Sequence, residues 1–124
     1  MQELYLGLNE ISYLDIECYF GLDVLQKLDL RNNATTFNGL KQLSYLGLAN
    51  NRLIYLDANS PFAQLVSLVY ISLSLNELVS VDRNVFVGLL NLTRVDLDMN
   101  PISLKEPAYV LALCSTNPTC FVYI

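Results

Sequence analysis

The acidic side chains and the three cysteines are the groups of this chain considered for catalysis or metal binding. Asp29, Asp96 and Asp98 are the candidates for paired acid–base catalysis or for binding a cation, because both tasks need carboxylates close together. The sequence contains no histidine. Ser-His-Asp catalysis, Cys-His catalysis and most zinc sites are therefore excluded, since imidazole is the base or a ligand in each of them.

Whether the carboxylates act together depends on the segments that carry them, and these segments repeat. Five of them share one template: an apolar residue, a spacer, Leu, two spacers, Asn, a spacer and usually another apolar residue. The template residues are Leu4/Leu6/Asn9/Ile11, Leu28/Leu30/Asn33/Thr35, Leu46/Leu48/Asn51/Leu53, Ile71/Leu73/Asn76/Leu78 and Val95/Leu97/Asn100/Ile102. The repetition predicts a solenoid whose coils each add one strand to a shared parallel sheet.

The template asparagines are separated by 24, 18, 25 and 24 residues, so the second repeat is shortened. Behind the strands, an aromatic residue is followed by two leucines at intervals of three residues. These sets are Tyr19-Leu22-Leu25, Phe37-Leu40-Leu43, Phe62-Leu65-Leu68 and Phe86-Leu89-Leu92. We expect the aromatic rings to stack into a spine behind the sheet.

The template asparagine has a structural explanation. A buried amide in a turn that leaves the sheet can bond main-chain groups of its own and of the adjacent repeat. We predict this role for Asn9, Asn33, Asn51, Asn76 and Asn100. The sequon at Asn33 is then inaccessible, whereas Asn91, in the loop sequence Asn91-Leu92-Thr93, is the predicted glycosylation site of a secreted chain.

The strands present their spacer residues outward, because side chains alternate with a period of two. Three outward columns follow. The first contains Glu3, Lys27, Tyr45, Tyr70 and Arg94, the second Tyr5, Asp29, Gly47, Ser72 and Asp96, and the third Gly7, Arg31, Ala49, Ser74 and Asp98.

The middle of this face is the candidate ligand-binding surface. Tyr45 and Tyr70 are neighbours in the first column, with small residues beside them and charged residues on both sides. The predicted binding residues are Tyr45, Tyr70, Lys27, Asp29, Arg31, Ser72, Ser74, Arg94, Asp96 and Asp98. Aromatic rings inside a polar rim are typical of binding hot spots. The alternative is that Tyr simply suits an exposed strand and that the charges form solvated pairs of little energy.

The distances between carboxylates in these columns argue against an enzymatic function. Asp29 and Asp96 lie three strands apart, about 14 Å, whereas the paired carboxylates of glycosidases need roughly 5 to 9.5 Å. Asp96 and Asp98 share a face, but two carboxylates supply few of the six or more oxygens that Ca²⁺ takes. We predict no enzymatic activity, no metal site and no cofactor.

The charge and hydropathy limit the partners. The net charge is −5 and the pI is about 4.4, with no basic stretch, so nucleic acid is not an expected partner. The longest apolar run, residues 109–114, is shorter than the roughly 20 residues that span a bilayer. We expect no membrane span in this chain.

The residues after the last template are predicted to cap the solenoid. We divide the chain into five repeats at 1–102 and a C-terminal cap at 103–124, with a short helix that begins at Pro107. Cys114 and Cys120 bracket a turn-forming stretch and are the candidate disulfide, while three cysteines leave at least one unpaired. Residues 121–124 have the pattern of a strand or a truncated cap.

The amino-terminal end gives two further expectations. Leu4, Leu6 and Ile11 would present an open apolar edge, which predicts either a missing cap or self-association through the first repeat. No basic and then apolar leader precedes the first template. A cytosolic chain and a secreted chain that has lost its leader both stay open.

The repeated template resembles the leucine-rich repeat proteins, and its 24-residue step with an aromatic spine resembles the class typical of extracellular animal receptors. That class includes Toll-like receptors, Slit-type matrix proteins and variable lymphocyte receptors. The resemblance covers residues 2–102. It implies an α/β solenoid with a parallel sheet on the concave face, irregular or short helical turns on the convex face, and non-enzymatic ligand binding on the concave face. The family's cysteine-rich amino-terminal cap is absent.

Two functions fit these observations as hypotheses. The first is a module that binds a protein or glycan on its concave face, outside the cell or on its surface, in innate immune recognition or adhesion. The second is a cytosolic scaffold or regulatory subunit that binds a protein partner through the same face.

Overall fold

Short parallel strands run across the repeats and form one face of the protein. The computed structural model describes residues 3–5, 27–29, 40–56 and 62–124, and within them the strands are β1 Glu3–Tyr5, β2 Lys27–Asp29, β3 Tyr45–Gly47, β4 Tyr55–Leu56, β5 Tyr70–Ser72, β6 Ser80–Val81, β7 Arg94–Asp96 and β8 Phe121–Tyr123. The main sheet has the order β1-β2-β3-β5-β7-β8, and β4 pairs with β6 in a second sheet. Every pairing in both sheets is parallel.

The middle residues of β3, β5, β7 and β8 lie in the core. Leu46, Ile71 and Val95 are fully buried, and Val122 continues the same row. Burial of an aliphatic side chain contributes about 1.5–3 kcal/mol, so each coil gains most of its stability by covering its neighbour. The solenoid with a parallel sheet on one face is confirmed.

The wall opposite the sheet is built from successive tight turns. Main-chain N–H groups bond the carbonyl three residues earlier, as Leu65 does to Phe62 and Leu68 does to Leu65. This geometry places every third side chain on one side, which explains the interval between the aromatic residue and its leucines. Phe62 and Phe86 stack with ring centroids 6.1 Å apart, so the predicted spine is confirmed for these two rings.

The template asparagines tie each coil to the one before it. Asn100 is 1% exposed, and its Nδ2 donates to the carbonyl oxygens of Leu73 at 2.9 Å and Leu97 at 3.1 Å, while its Oδ1 accepts the N–H of Leu78 at 3.1 Å. Asn76 makes the equivalent bonds one coil earlier. The predicted structural role is confirmed for both residues.

The last part of the chain carries two short helices and then returns to the sheet. Helix α1 is Pro101–Lys105 and helix α2 is Pro107–Leu111, each with Pro at its start, where the missing N–H is not needed. A disulfide joins Cys114 to Cys120. Strand β8 follows and pairs with β7, so residues 121–123 extend the main sheet. The division at residue 102 into repeats and cap stays a prediction.

Several predictions fall outside the described residues. They concern Arg31, the ladder asparagines Asn9 and Asn33, the short segment 34–36, and the aromatic residues Tyr19 and Phe37. Strand β1 lies at one edge of the described sheet, and self-association through the first repeat stays a prediction. In the part of the chain that the structure describes, no helix has the length and apolar character needed to cross a membrane.

The asparagine ladder gives a stability prediction. Asn100→Ala leaves the carbonyl of Leu73 and the N–H of Leu78 buried without their side-chain partner, so we expect the free energy of unfolding to fall by about 3 kcal/mol. Urea denaturation measures the loss. The matched control is Asn84→Ala, since Asn84 is exposed and its hydrogen bond to Asp82 is made by its main-chain N–H; we expect a change within about 0.5 kcal/mol. Equal losses in the two variants would contradict the role of Asn100.

Candidate functional site

The strand register aligns the spacer residues in columns, as predicted for the first two, and in the second column Gly47, Ser72 and Asp96 are buried. The first column runs Glu3, Lys27, Tyr45, Tyr70, Arg94 and Phe121, and the second runs Tyr5, Asp29, Gly47, Ser72, Asp96 and Tyr123. Adjacent strands lie about 4.8 Å apart, so neighbours within a column are close enough to touch.

Tyr45 and Tyr70 form the aromatic centre of this face. Their ring centroids are 5.0 Å apart with an interplanar angle of 65°, an edge-to-face arrangement. Such a pair contributes about 0.5–1.5 kcal/mol beyond the area it buries, because the positive edge of one ring meets the negative face of the other. Both side chains are half-buried, and each ring is held in place by its neighbour.

Asp96 connects Tyr70 to Arg94. The phenol of Tyr70 donates a hydrogen bond of 2.5 Å to Oδ2 of Asp96. Arg94 approaches the same carboxylate from its side, with Nε donating to Oδ1 at 3.0 Å and Nη2 to Oδ2 at 3.1 Å. This fork geometry is the strongest form of an arginine–carboxylate pair. Three donors therefore converge on one carboxylate.

The guanidinium of Arg94 also lies against two rings. Its central carbon is 4.9 Å from the ring centroid of Tyr70 and 4.3 Å from that of Tyr123. Each contact of this kind contributes about 0.5–1 kcal/mol at an exposed site. We call Tyr45, Tyr70, Arg94, Asp96 and Tyr123 the concave cluster.

The electrostatics of the cluster appear in two pKa values. Burial, followed by the hydrogen bond and charge of Asp96, raises the pKa of Tyr70 to about 12. The hydrogen bond to Asp96 raises the pKa of Arg94 above its usual value. Tyr70 is therefore a neutral donor and Arg94 a fixed cation at any physiological pH.

For Arg94 and Asp96 the structure disfavours the interpretation as a solvated pair, although the Arg94 side chain is 47% exposed; for Lys27 and Asp29 both interpretations stay open. The Asp96 side chain is only 12% exposed and its two oxygens accept three bonds. The Arg94–Asp96 pair is therefore an ordered part of this face. The same bonds disfavour the cation site considered for Asp96 and Asp98, because the Asp96 oxygens are already engaged by Arg94 and Tyr70.

The other predicted site residues are not members of the concave cluster. Ser72 is buried and lies 3.3 Å from Ser74, hydroxyl to hydroxyl, while Asp98 is exposed. Lys27 and Asp29 occupy β2 at the predicted register. Arg31 lies outside the described residues.

The sequence analysis missed the sixth members of the two columns. Phe121 aligns with Arg94 and Tyr123 aligns with Asp96, and both are exposed. The sequence feature that could have predicted these positions is the alternation Phe-Val-Tyr, in which Val122 is buried and aligns with Val95. The sequence predicts only a strand or a truncated cap for residues 121–124 and assigns none of them to a column.

The raised pKa of Tyr70 gives a pH prediction. Its pKa rises from 10.0 in the unfolded chain to about 12 in the fold, so the neutral phenol stabilises the fold below pH 10 and this contribution is lost as the pH rises through about 12. A phenolate absorbance titration should contain a phase near pH 12 that Tyr70→Phe removes. Tyr55→Phe, at an exposed tyrosine outside the cluster, should retain it. Titration of Tyr70 near pH 10 would contradict the buried hydrogen bond.

Comparison with known proteins identifies the repeats. The family model described as Leucine rich repeat matches residues 41–102. Osteomodulin of Bos taurus is 29% identical over 106 residues, which are 82% of this chain and 25% of osteomodulin.

Two solved structures share the fold over nearly the whole chain. The chain in the complex of TLR13 with single-stranded RNA gives a TM-score of 0.79 at 26% identity and covers 99% of this chain. The Drosophila Toll–Spatzle complex gives 0.78 at 25% identity over 98% of this chain. This chain spans 18% of each of those chains and a quarter of osteomodulin. The protein therefore belongs to the leucine-rich repeat family, with repeats of the extracellular receptor type and the solenoid architecture of a binding module.

Proposed function

We propose that the concave cluster is the contact surface of a module that recognises a protein or glycan ligand. The observation that carries this proposal is the continuous set of ring contacts from Tyr45 through Tyr70 and Arg94 to Tyr123. Four consecutive strands of the sheet supply these side chains, so a ligand meets one surface and not separate residues.

The internal bonds of the cluster support binding because they prepare it in advance. Immobilising a flexible side chain on association costs about 0.5–1.5 kcal/mol, and the rings and the guanidinium are already ordered by their contacts with one another. The Arg94 charge is neutralised by Asp96, so a ligand has no buried unpaired cation to compensate. The ring surfaces and the unused N–H groups of Arg94 remain for contact.

The relatives support a binding role without fixing the ligand. Leucine-rich repeat proteins are typically non-enzymatic binding proteins, and absence of enzymatic activity stays a prediction for this chain. Toll binds a protein, Spatzle, in a complex described as a hub in Drosophila development and innate immunity. TLR13 binds single-stranded RNA. We infer from the acidic balance of this chain that its own ligand is a protein or a glycan, in innate immune recognition or adhesion.

Two features support a location outside the cell or on its surface. The Cys114–Cys120 disulfide suits an oxidising compartment. Asn91 is exposed, and its Nδ2 donates one hydrogen bond, to the carbonyl of Val66 at 2.9 Å. N-glycosylation leaves one hydrogen on that nitrogen, so the bond and a glycan are compatible. A cytosolic scaffold that uses the same face is the alternative.

The binding surface is tested by removing its rings. Tyr45→Ala with Tyr70→Ala should weaken the affinity for ligands found on a protein and glycan array by more than about 2 kcal/mol, or roughly thirtyfold, because both hot-spot rings are lost. Tyr55→Ala, on β4, is the matched control and should bind as the wild type does. Single-stranded RNA belongs on the same array. Unchanged affinity in the double variant would remove the cluster as the contact surface.

The compartment is tested by mass spectrometry of natively produced protein, without any added leader sequence. We expect a glycan at Asn91 that Asn91→Gln abolishes, and Cys114 linked to Cys120. An unmodified Asn91 together with two free thiols would favour the cytosolic alternative.

A further inference from the structure

A row of residues beside the concave face has an unusual backbone conformation. Asn50, Leu75 and Met99 each precede a ladder asparagine and have φ values of 57°, 55° and 56°. Main-chain bonds stack them, because the N–H of Asn50 bonds the residue before Leu75 and the N–H of Leu75 bonds the residue before Met99. The left-handed conformation suits Asn, whose short polar side chain tolerates it, but disfavours long side chains such as Leu and Met.

Packing does not explain why Leu75 and Met99 occupy these positions. Leu75 is 51% exposed and Met99 is 70% exposed, so neither gains the stability of a buried core residue. The turn of the repeat sets this conformation in each described coil, so the feature to explain is that exposed Leu and Met, and not Asn, occupy it. Exposed apolar side chains at a position that disfavours them suggest a contact with a ligand. We call Leu75 and Met99 the apolar ledge.

An exposed carboxylate, that of Asp98, adjoins the ledge. Asp98 directly precedes Met99, and its main-chain carbonyl accepts the N–H of Leu75, so it adjoins both ledge residues. Its side chain is exposed and makes neither a hydrogen bond nor an ion pair with other residues of the described ranges. Asp96, two residues earlier at the end of β7, is already paired with Arg94. The local free charge is therefore negative, as is the net charge of −5.

We propose that the apolar ledge and Asp98 extend the contact surface and select a protein ligand, one that presents an apolar side chain next to Lys or Arg. The inference rests on the proposed function of the concave cluster and deepens it. Leu and Met offer neither hydrogen bonds nor a ring face to the hydroxyl groups of a glycan, whereas they fit an aliphatic or aromatic side chain well. Asp98 supplies the charge that attracts the adjacent cation.

The first test needs no ligand. Leu75→Asn and Met99→Asn place at both positions the residue type that Asn50 already provides, which relieves the backbone strain. Each substitution should raise the melting temperature by roughly 2–4 °C, measured by calorimetry. A lower melting temperature would show that the side chains serve packing, and would overturn the proposal.

The second test uses a phage library of random peptides, selected on the wild-type protein. The enriched peptides should carry an apolar residue beside Lys or Arg, and a synthetic copy should bind the Leu75→Asn/Met99→Asn variant ~10-fold more weakly. Asp98→Asn should reduce the affinity and also its dependence on salt. The matched control is Leu90→Asn, at a leucine 80% exposed outside the ledge, which should bind as the wild type does.

Other outcomes decide against the ledge. Peptides that bind the wild type and the ledge variant equally, or an array on which only glycans bind, would overturn it. Wild-type self-association that the ledge variant abolishes would assign the surface to a second copy and also overturn it. Tyr45→Ala/Tyr70→Ala, assayed in parallel, separates the two proposals. If Tyr45→Ala/Tyr70→Ala loses peptide binding and the ledge variant does not, the ledge proposal is rejected and the proposal for the concave cluster is retained. If neither variant loses peptide binding, both proposals are rejected.

Discussion

The amide side chain of the ladder asparagine is the interaction on which the structure depends. In a turn that leaves the sheet, main-chain groups lose the partners that strand pairing gives them, and burying them unpaired costs about 1–3 kcal/mol each. Asn76 and Asn100 satisfy such groups in their own coil and in the preceding one. The bonds fix the distance and the register between successive coils. Without them the leucines of one coil would have no defined surface to cover.

The concave cluster depends directly on that register. Tyr70, Arg94 and Tyr123 lie far apart in the sequence, and only in-register stacking of β5, β7 and β8 brings them into contact. The cluster then adds its own order, because Asp96 receives both the phenol and the guanidinium. A rigid scaffold thus supports a rigid surface, and the backbone strain at Leu75 and Met99 lies at the rim of that surface.

The repeat template was sufficient to predict the fold and most of the arrangement of the face. A period of two assigns each strand residue to the core or to the outside, and identical spacing in successive coils aligns Tyr45 with Tyr70 and Arg94. The sequence could place Arg94 and Asp96 on one face of β7, but it could not predict that Tyr70 and Arg94 share the Asp96 carboxylate. The conformation of Leu75 and Met99 was also hidden, since the template treats their position as a spacer. Tyr123 was not predicted, because its alignment with Asp96 depends on the pairing of β8 with β7 across the two intervening helices.

The wall of three-residue turns has a consequence for how such a surface can change. Each turn is closed by its own main-chain bonds, as at Phe62–Leu65–Leu68 and Phe86–Leu89–Leu92, and the rings of Phe62 and Phe86 stack between adjacent coils. A coil meets its neighbours through the same set of bonds at each step, so it can be duplicated or exchanged as a unit when the adjoining coils keep that pattern. The Tyr70–Arg94–Tyr123 arrangement is supplied by three adjoining strands, so it persists only when all three are kept together. Recombination between repeats can then assemble new binding surfaces from parts that already fit.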